Sequence, residues 1–211
     1  MRYVYIFFCI VTISCTKKAQ NDKDIEVFNQ RKKVSIQQDT STNILRVIKS
    51  LDFLKIKKGF EENSTSTYLD NIQDKVYFRP QEKGFYGKYT FLKYCEEKSA
   101  MIQVGKMIIF NNIKPWEYNN TDIFIELTVY TSEITALPDI QVGDNISSLY
   151  DCLGEPYRMN DDYICYIYED IGLLMMFMNV EGKISWFKLG YYKREVLENI
   201  DNYIALLLRD E

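Results

Sequence analysis

Side chains able to move protons occur in this chain as neighbouring carboxylates: Glu61-Glu62, Glu96-Glu97, Asp161-Asp162 and Glu169-Asp170. Two carboxyl groups divide acid and base work between them when their surroundings push their pKa values apart, and a pair flanking a glycosidic bond cleaves it. Each pair here falls in or beside a segment that reads as a loop or strand end, so a solvated turn is the favoured reading. Histidine is absent. Its absence removes the Ser-His and Cys-His nucleophile pairs, the commonest general base and the usual zinc ligand together. Asp139 and Asp144 match no calcium-loop spacing, and Gly143 beside them belongs to a turn. There is no P-loop, dinucleotide fingerprint or G-x-S-x-G elbow. The chemistry-bearing residues therefore point to a protein that is not an enzyme, and no metal or cofactor is expected.

Cysteine carries a different chemistry. Arg2 precedes an apolar run from Tyr3 to Val11, then Thr12, Ile13, Ser14 and Cys15. That run is far below the roughly 20 apolar residues that span a bilayer, and it reads as a cleaved export signal. The segment resembles bacterial lipoprotein signals, in which a small residue precedes the cysteine that is lipidated. Ser14 fills the small position, and Thr12 stands where Leu is usual, as in the looser signals of Bacteroidota-type bacteria. The resemblance implies a diacylglyceryl thioether on Cys15 and acyl chains that hold the protein on a membrane, each buried CH₂ contributing about 0.8 kcal/mol. Thr16, Lys17 and Lys18 follow without an acidic cluster, which by the same resemblance implies a periplasm-facing protein of the cell envelope. Cys95, Cys152 and Cys165 remain. Three is odd, so at least one thiol stays free or pairs between chains. Cys152 and Cys165 are the candidate disulfide, set against the simpler reading that all three are small buried hydrophobes.

Without its first fourteen residues the chain has 25 basic and 30 acidic residues, a net charge of −5. This does not suit a phosphate backbone, so no nucleic-acid partner is expected. A hydrophobic fraction of 46% supports a true core. The organisation reads as a signal over 1–14, a polar tether over 15–42 and one folded domain over 43–211, with possible sub-units 43–135 and 136–211. In that domain Asn43 caps a helix through Ile44, Leu45, Val47, Ile48 and Leu51, and the polar stretch 61–70 reads as a loop. Strands follow at KVYFRP, GKYTFLKYC, AMIQVGKMIIF (with Gly105 marking a bulge) and IFIELTVYT. The last reads as half-buried, with Ile123, Ile125, Leu127 and Val129 on one face against Phe124, Glu126, Thr128 and Tyr130. Three more strands, DYICYIYED, GLLMMFMNV and KISWFKLGYY, form a meander with a hairpin at Glu181-Gly182, and KREVLENIDNYIALLLRDE reads as an amphipathic helix. The fold class is therefore α+β: a mostly antiparallel sheet, a few helices packed on one face, and a C-terminal amphipathic helix.

Between strands lies the phrase I-x-V-G-D-x-x-x-x-L-x-x-x-L-G-E-P, carried by Ile140, Val142, Gly143, Asp144, Leu149, Leu153, Gly154 and Pro156. It reads as a short strand, a turn, a helix capped by Asp144 or Asn145, and a glycine stop. Residues 140–189 resemble the outer-membrane-assembly lipoproteins of the SmpA/OmlA type and the β-lactamase-inhibitor-protein-like fold. That resemblance implies a non-enzymatic scaffolding or protein-binding role. Trp116 and Tyr118, in the polar loop after Pro115, and Tyr191-Tyr192, at the end of the last strand, are the candidate partner-binding residues, against the simpler reading that they pack on the sheet edge. The sequence thus suggests a membrane-tethered binding module whose partner is an envelope protein. An inhibitor or immunity-type protein and a carboxylate-dependent glycan hydrolase are the alternatives.

Overall fold

The computed structural model describes residues 51–72, 78, 84–111 and 122–209. The signal, Cys15, the tether, the helix expected after Asn43, Trp116 and Tyr118 lie outside the described residues, as does KVYFRP apart from Phe78.

Asp52 opens the first helix, α1 (Phe53–Asn63), by accepting a hydrogen bond from the Lys55 amide at 3.0 Å. Ile56 and Phe60, four residues apart, form its buried face. Lys57 and Lys58 pair with Glu61 and Glu62 one turn on, so that carboxylate pair stabilises a helix rather than sitting in a loop. The stretch expected as a loop becomes β1 (Ser66–Ile72), a polar edge strand. It is followed by β2 (Phe85–Cys95), β3 (Ala100–Asn111) and β4 (Ile123–Val129). A connector then carries the short helix α2 (Ser148–Leu153) to β5 (Arg158–Met159), β6 (Tyr163–Tyr168), β7 (Leu173–Val180) and β8 (Lys183–Tyr191). The chain continues through α3 (Arg194–Glu198) and α4 (Ile200–Arg209), so the single terminal helix expected is divided at Asn199.

The strands form one open antiparallel sheet in the order β1-β2-β3-β4-β8-β7-β6-β5. Each half is a helix followed by a four-stranded meander, and the last strands of the two meanders meet through Glu126↔Gly190, Leu127↔Leu189, Thr128↔Lys188 and Val129↔Phe187.

The expectation of helices on one face is corrected. Ile56 and Phe60 of α1, Leu149 and Leu153 of α2, and Ile134, Leu137 and Ile140 of the connector pack on one face, here called A. Val196, Leu197, Ile200 and Ile204 of α3 and α4 cover part of the other, face B. The reason is visible in β7: Leu173, Met175 and Phe177 face A while Leu174 and Met176 face B, so both sides need cover. β4 is likewise not half-buried. A bulge places Ile108 opposite Glu126 and Ile109 opposite Phe124, so Ile125 is the extra residue. Phe124 therefore joins Leu127 and Val129 on face A, and Ile125 turns to face B, reversing the alternation expected for this end of the strand. A second bulge places Phe91 opposite Gly105 and Leu92 opposite Gln103, so the extra residue is Val104, beside the glycine expected to mark it. Gly105 has a further cause: a Cβ there would fall 1.8 Å from Cε1 of Phe60, so only glycine lets α1 seat on the sheet.

The I-x-V-G-D phrase docks the connector onto the β7–β8 hairpin. Gly143, at φ 96°, donates its amide to the Ile184 carbonyl at 2.8 Å, and the Asp144 carbonyl accepts from Ile184 at 2.9 Å. No strand forms at 140–142; Ile140 makes an isolated bridge with Leu137. The N-cap of α2 is Ser147, not the expected Asp144 or Asn145, and it makes no side-chain cap bond; the Asp144 carboxylate accepts from the Gln141 amide at 2.9 Å.

Candidate functional site

The half of face B that α3 and α4 do not cover carries a strip of aromatic and apolar side chains. Thr90 lies between Tyr89 and Phe91, both on face A, so it points to face B, and its cross-strand partner Tyr68 does too. Leu92 and Tyr94 continue that face along β2, and Tyr94 is directly opposite Met101 of β3. Further across, Trp186 of β8 points away from Phe187 and packs against Tyr130, ring centroids 5.9 Å apart. Tyr68, Tyr94 and Met101 are 57%, 49% and 44% exposed, and Leu92, Tyr130 and Trp186 are half-buried. Tyrosine, tryptophan and methionine presented together on a rigid sheet form the composition enriched in protein interfaces.

Beside the strip, face B holds a buried polar row. Lys106, Thr128 and Lys188 lie directly opposite one another on β3, β4 and β8, and all are under 5% exposed. The carboxylate of Glu126 accepts from the Tyr192 hydroxyl at 2.5 Å and lies 3.9 Å from the Lys188 ammonium. These groups sit on the seam between the two meanders. A one-residue slip there would drive Lys188 and Thr128 into the apolar core of face A, so the row specifies how the halves join.

Face A contains a cleft of about 720 Å³ under the N-terminus of α1, lined by Phe53, Tyr89, Met107, Ile109, Phe124 and Tyr191, with Asp52, Lys57 and Asp122 as its charged residues. Phe53 stacks on Phe124 with centroids 3.6 Å apart, and Tyr191 meets Phe124 edge-on at 6.2 Å. Burial raises the Tyr191 hydroxyl pKa. Lys57 bonds Glu61 at 2.5 Å and holds its ammonium 4.8 Å from the centre of the Tyr89 ring. Asp122 accepts from the Asn111 amide nitrogen at 2.8 Å.

The expected site residues separate. Tyr191 lines this cleft, but Tyr192 is fully buried on face B, bonded to Glu126, and presents nothing to a partner. Neighbours on one strand point to opposite faces, so they never form one surface. The candidate disulfide between Cys152 and Cys165 is not formed: Cys152 packs toward face A from α2 and Cys165 points to face B from β6, so the sheet lies between the two thiols. Cys95 likewise forms no disulfide among the described residues. Glu96-Glu97 and Glu169-Asp170 occupy turns, Asp161-Asp162 precedes β6, and Asp139 and Asp144 gather no metal-binding group among the described residues.

The aromatic strip escaped the sequence reading, although its signal was present. Leu92 and Tyr94 share a face of GKYTFLKYC, and Tyr130 ends the polar face of IFIELTVYT. No known protein family, curated protein or solved structure matches this chain.

Proposed function

We propose that this chain is a membrane-tethered, non-catalytic protein-binding module of the bacterial cell envelope, anchored through a lipid on Cys15 and facing the periplasm. The observation that carries this reading is the strip of exposed Tyr68, Tyr94 and Met101, flanked by half-buried Tyr130 and Trp186, on the part of face B that α3 and α4 do not cover. Exposed aromatics on a rigid scaffold offer contact area at little cost in side-chain entropy. The SmpA/OmlA-type resemblance of residues 140–189 and the export signal point the same way.

Two measurements test it. Labelled palmitate is incorporated into the wild-type chain and not into Cys15→Ala. A photo-crosslinker at Gln103, inside the strip, captures an envelope protein from intact cells, and capture is lost in Tyr68→Ser/Tyr94→Ser/Met101→Ser. Equal capture by wild type and triple variant overturns the binding surface. If the captured protein is an enzyme that loses activity in the complex, the module is an inhibitor or immunity-type protein.

A second reading, a carboxylate-dependent glycan hydrolase, is favoured by Asp52 and Asp122 lining one cleft. Both carboxylates have structural uses, Asp52 as the cap of α1 and Asp122 as acceptor from Asn111, which places this reading second. Release of reducing ends from cell-wall glycans, abolished in Asp52→Asn, would establish it.

A further inference from the structure

We propose that the cleft on face A binds a small amphipathic cation, a flat apolar body carrying a substituted ammonium. The cleft lies on the opposite face of the sheet from the aromatic strip, so this inference stands or falls independently of protein capture there. Its volume of about 720 Å³ lies within the roughly 300–1,000 Å³ of small-molecule sites. Met107 and Ile109 form an apolar floor on β3, while the rings of Phe53, Tyr89, Phe124 and Tyr191 supply the walls. Aromatic faces carry negative electrostatic potential, and several converging rings are the known means of holding an ammonium group. This cleft already does so once, with the Lys57 ammonium over Tyr89.

In the lining, two carboxylates, Asp52 and Asp122, stand against one ammonium, Lys57. Asp52 is exposed at the rim, where its carboxylate accepts from the Lys55 backbone amide. Lys57, the ammonium of the described lining, is engaged with Glu61. An anionic ligand would meet carboxylate at the rim and ring faces within. A neutral apolar ligand would gain the floor and walls but leave the charge at the mouth unused. The cation alone gains from all three.

The test compares benzyltrimethylammonium, benzyl alcohol and benzoate by calorimetric titration of the full chain, with amide chemical shifts locating the site. The cation binds about tenfold more tightly than either other probe, a difference within reach of ring and carboxylate contacts. Shifts fall on residues 51–57 and on Tyr191. Asp52→Asn keeps the helix cap, since Asn caps as well as Asp, and removes the charge. It abolishes most of the preference for the cation while the melting temperature stays unchanged. Tyr191→Leu removes a ring face and weakens the cation more than benzyl alcohol. Equal binding of all three probes, no binding at millimolar concentration, shifts elsewhere, or a preference that survives both substitutions would overturn the assignment.

Discussion

Thr128 is fully buried on the seam of the sheet, and its hydroxyl has no hydrogen-bond partner among the described residues although its cross-strand neighbours are both lysines. A buried polar group without a partner costs free energy that an isosteric apolar group does not. Thr128→Val is therefore expected to stabilise the fold by about 1 kcal/mol, seen as a higher urea midpoint at constant slope. Cys165 makes a second residue-level case. Burial pushes its thiol up to about 12 against an opposing effect of Arg158, and burial likewise raises the Tyr166 hydroxyl. A raised pKa in the folded state stabilises the fold while the group stays neutral. That stabilisation is complete below pH 9 for the thiol and disappears as pH rises toward about 12. Stability should fall across that interval, with a slope approaching about 1.4 kcal/mol per pH unit for each such group. In Cys165→Ala the fall should be shallower, and iodoacetamide at pH 8 should label Cys95 before Cys165 in native protein. Of these residues, the sequence revealed that Cys152 and Cys165 lie in core-like flanks. It could not reveal that they face opposite sides, because the side on which α2 lands depends on the docking of Gly143 and Asp144 against Ile184.

Elements were legible where local signals suffice. β2, β3 and the β6–β8 meander fall where apolar runs and turn residues place them, and Glu181 and Gly182 both adopt positive φ, at 53° and 79°, as a tight hairpin requires. Elements defined by a neighbour were not legible. β1 contains Ser, Thr and Asn and reads as a loop in isolation; it is a strand because β2 offers it an edge. The bulge at Ile125 arises from pairing with β3 and is invisible in an alternating sequence. Gly105 shows how one position couples two elements. Gly105→Ala forces Phe60 out of its seat between α1 and the sheet, and is expected to cost about 1–3 kcal/mol. If that contact is the cause, Phe60→Leu should cost less in the Gly105→Ala background than in wild type. Thermal melts of the single and double variants, compared as a cycle, test the coupling, and simple additivity would refute it.

At the scale of the molecule, the two meanders share one sheet, so their most protected amides should be shared as well. Hydrogen exchange should be slowest in β4, β7 and β8, which have strands on both sides and cover on both faces, and fastest in β1 and β5 at the margins. If the two halves exchanged at separate, unrelated rates, the β4–β8 seam would be a passive contact rather than part of the core. The sequence indicated an antiparallel sheet with helices, yet the joining of two similar halves through their last strands was not legible, because long-range strand order leaves no local trace. The margins of that sheet also differ from each other. β1 is seven residues long, while β5 has only two, and Arg158 of β5 is tied to Asp201 of the terminal helix. Among the described strands, β1 is thus the margin long enough to template a further strand. Propagation into a fibre needs two competent margins per molecule, so edge-to-edge association through the described strands has one symmetric solution, β1 against β1, and it terminates at a closed pair.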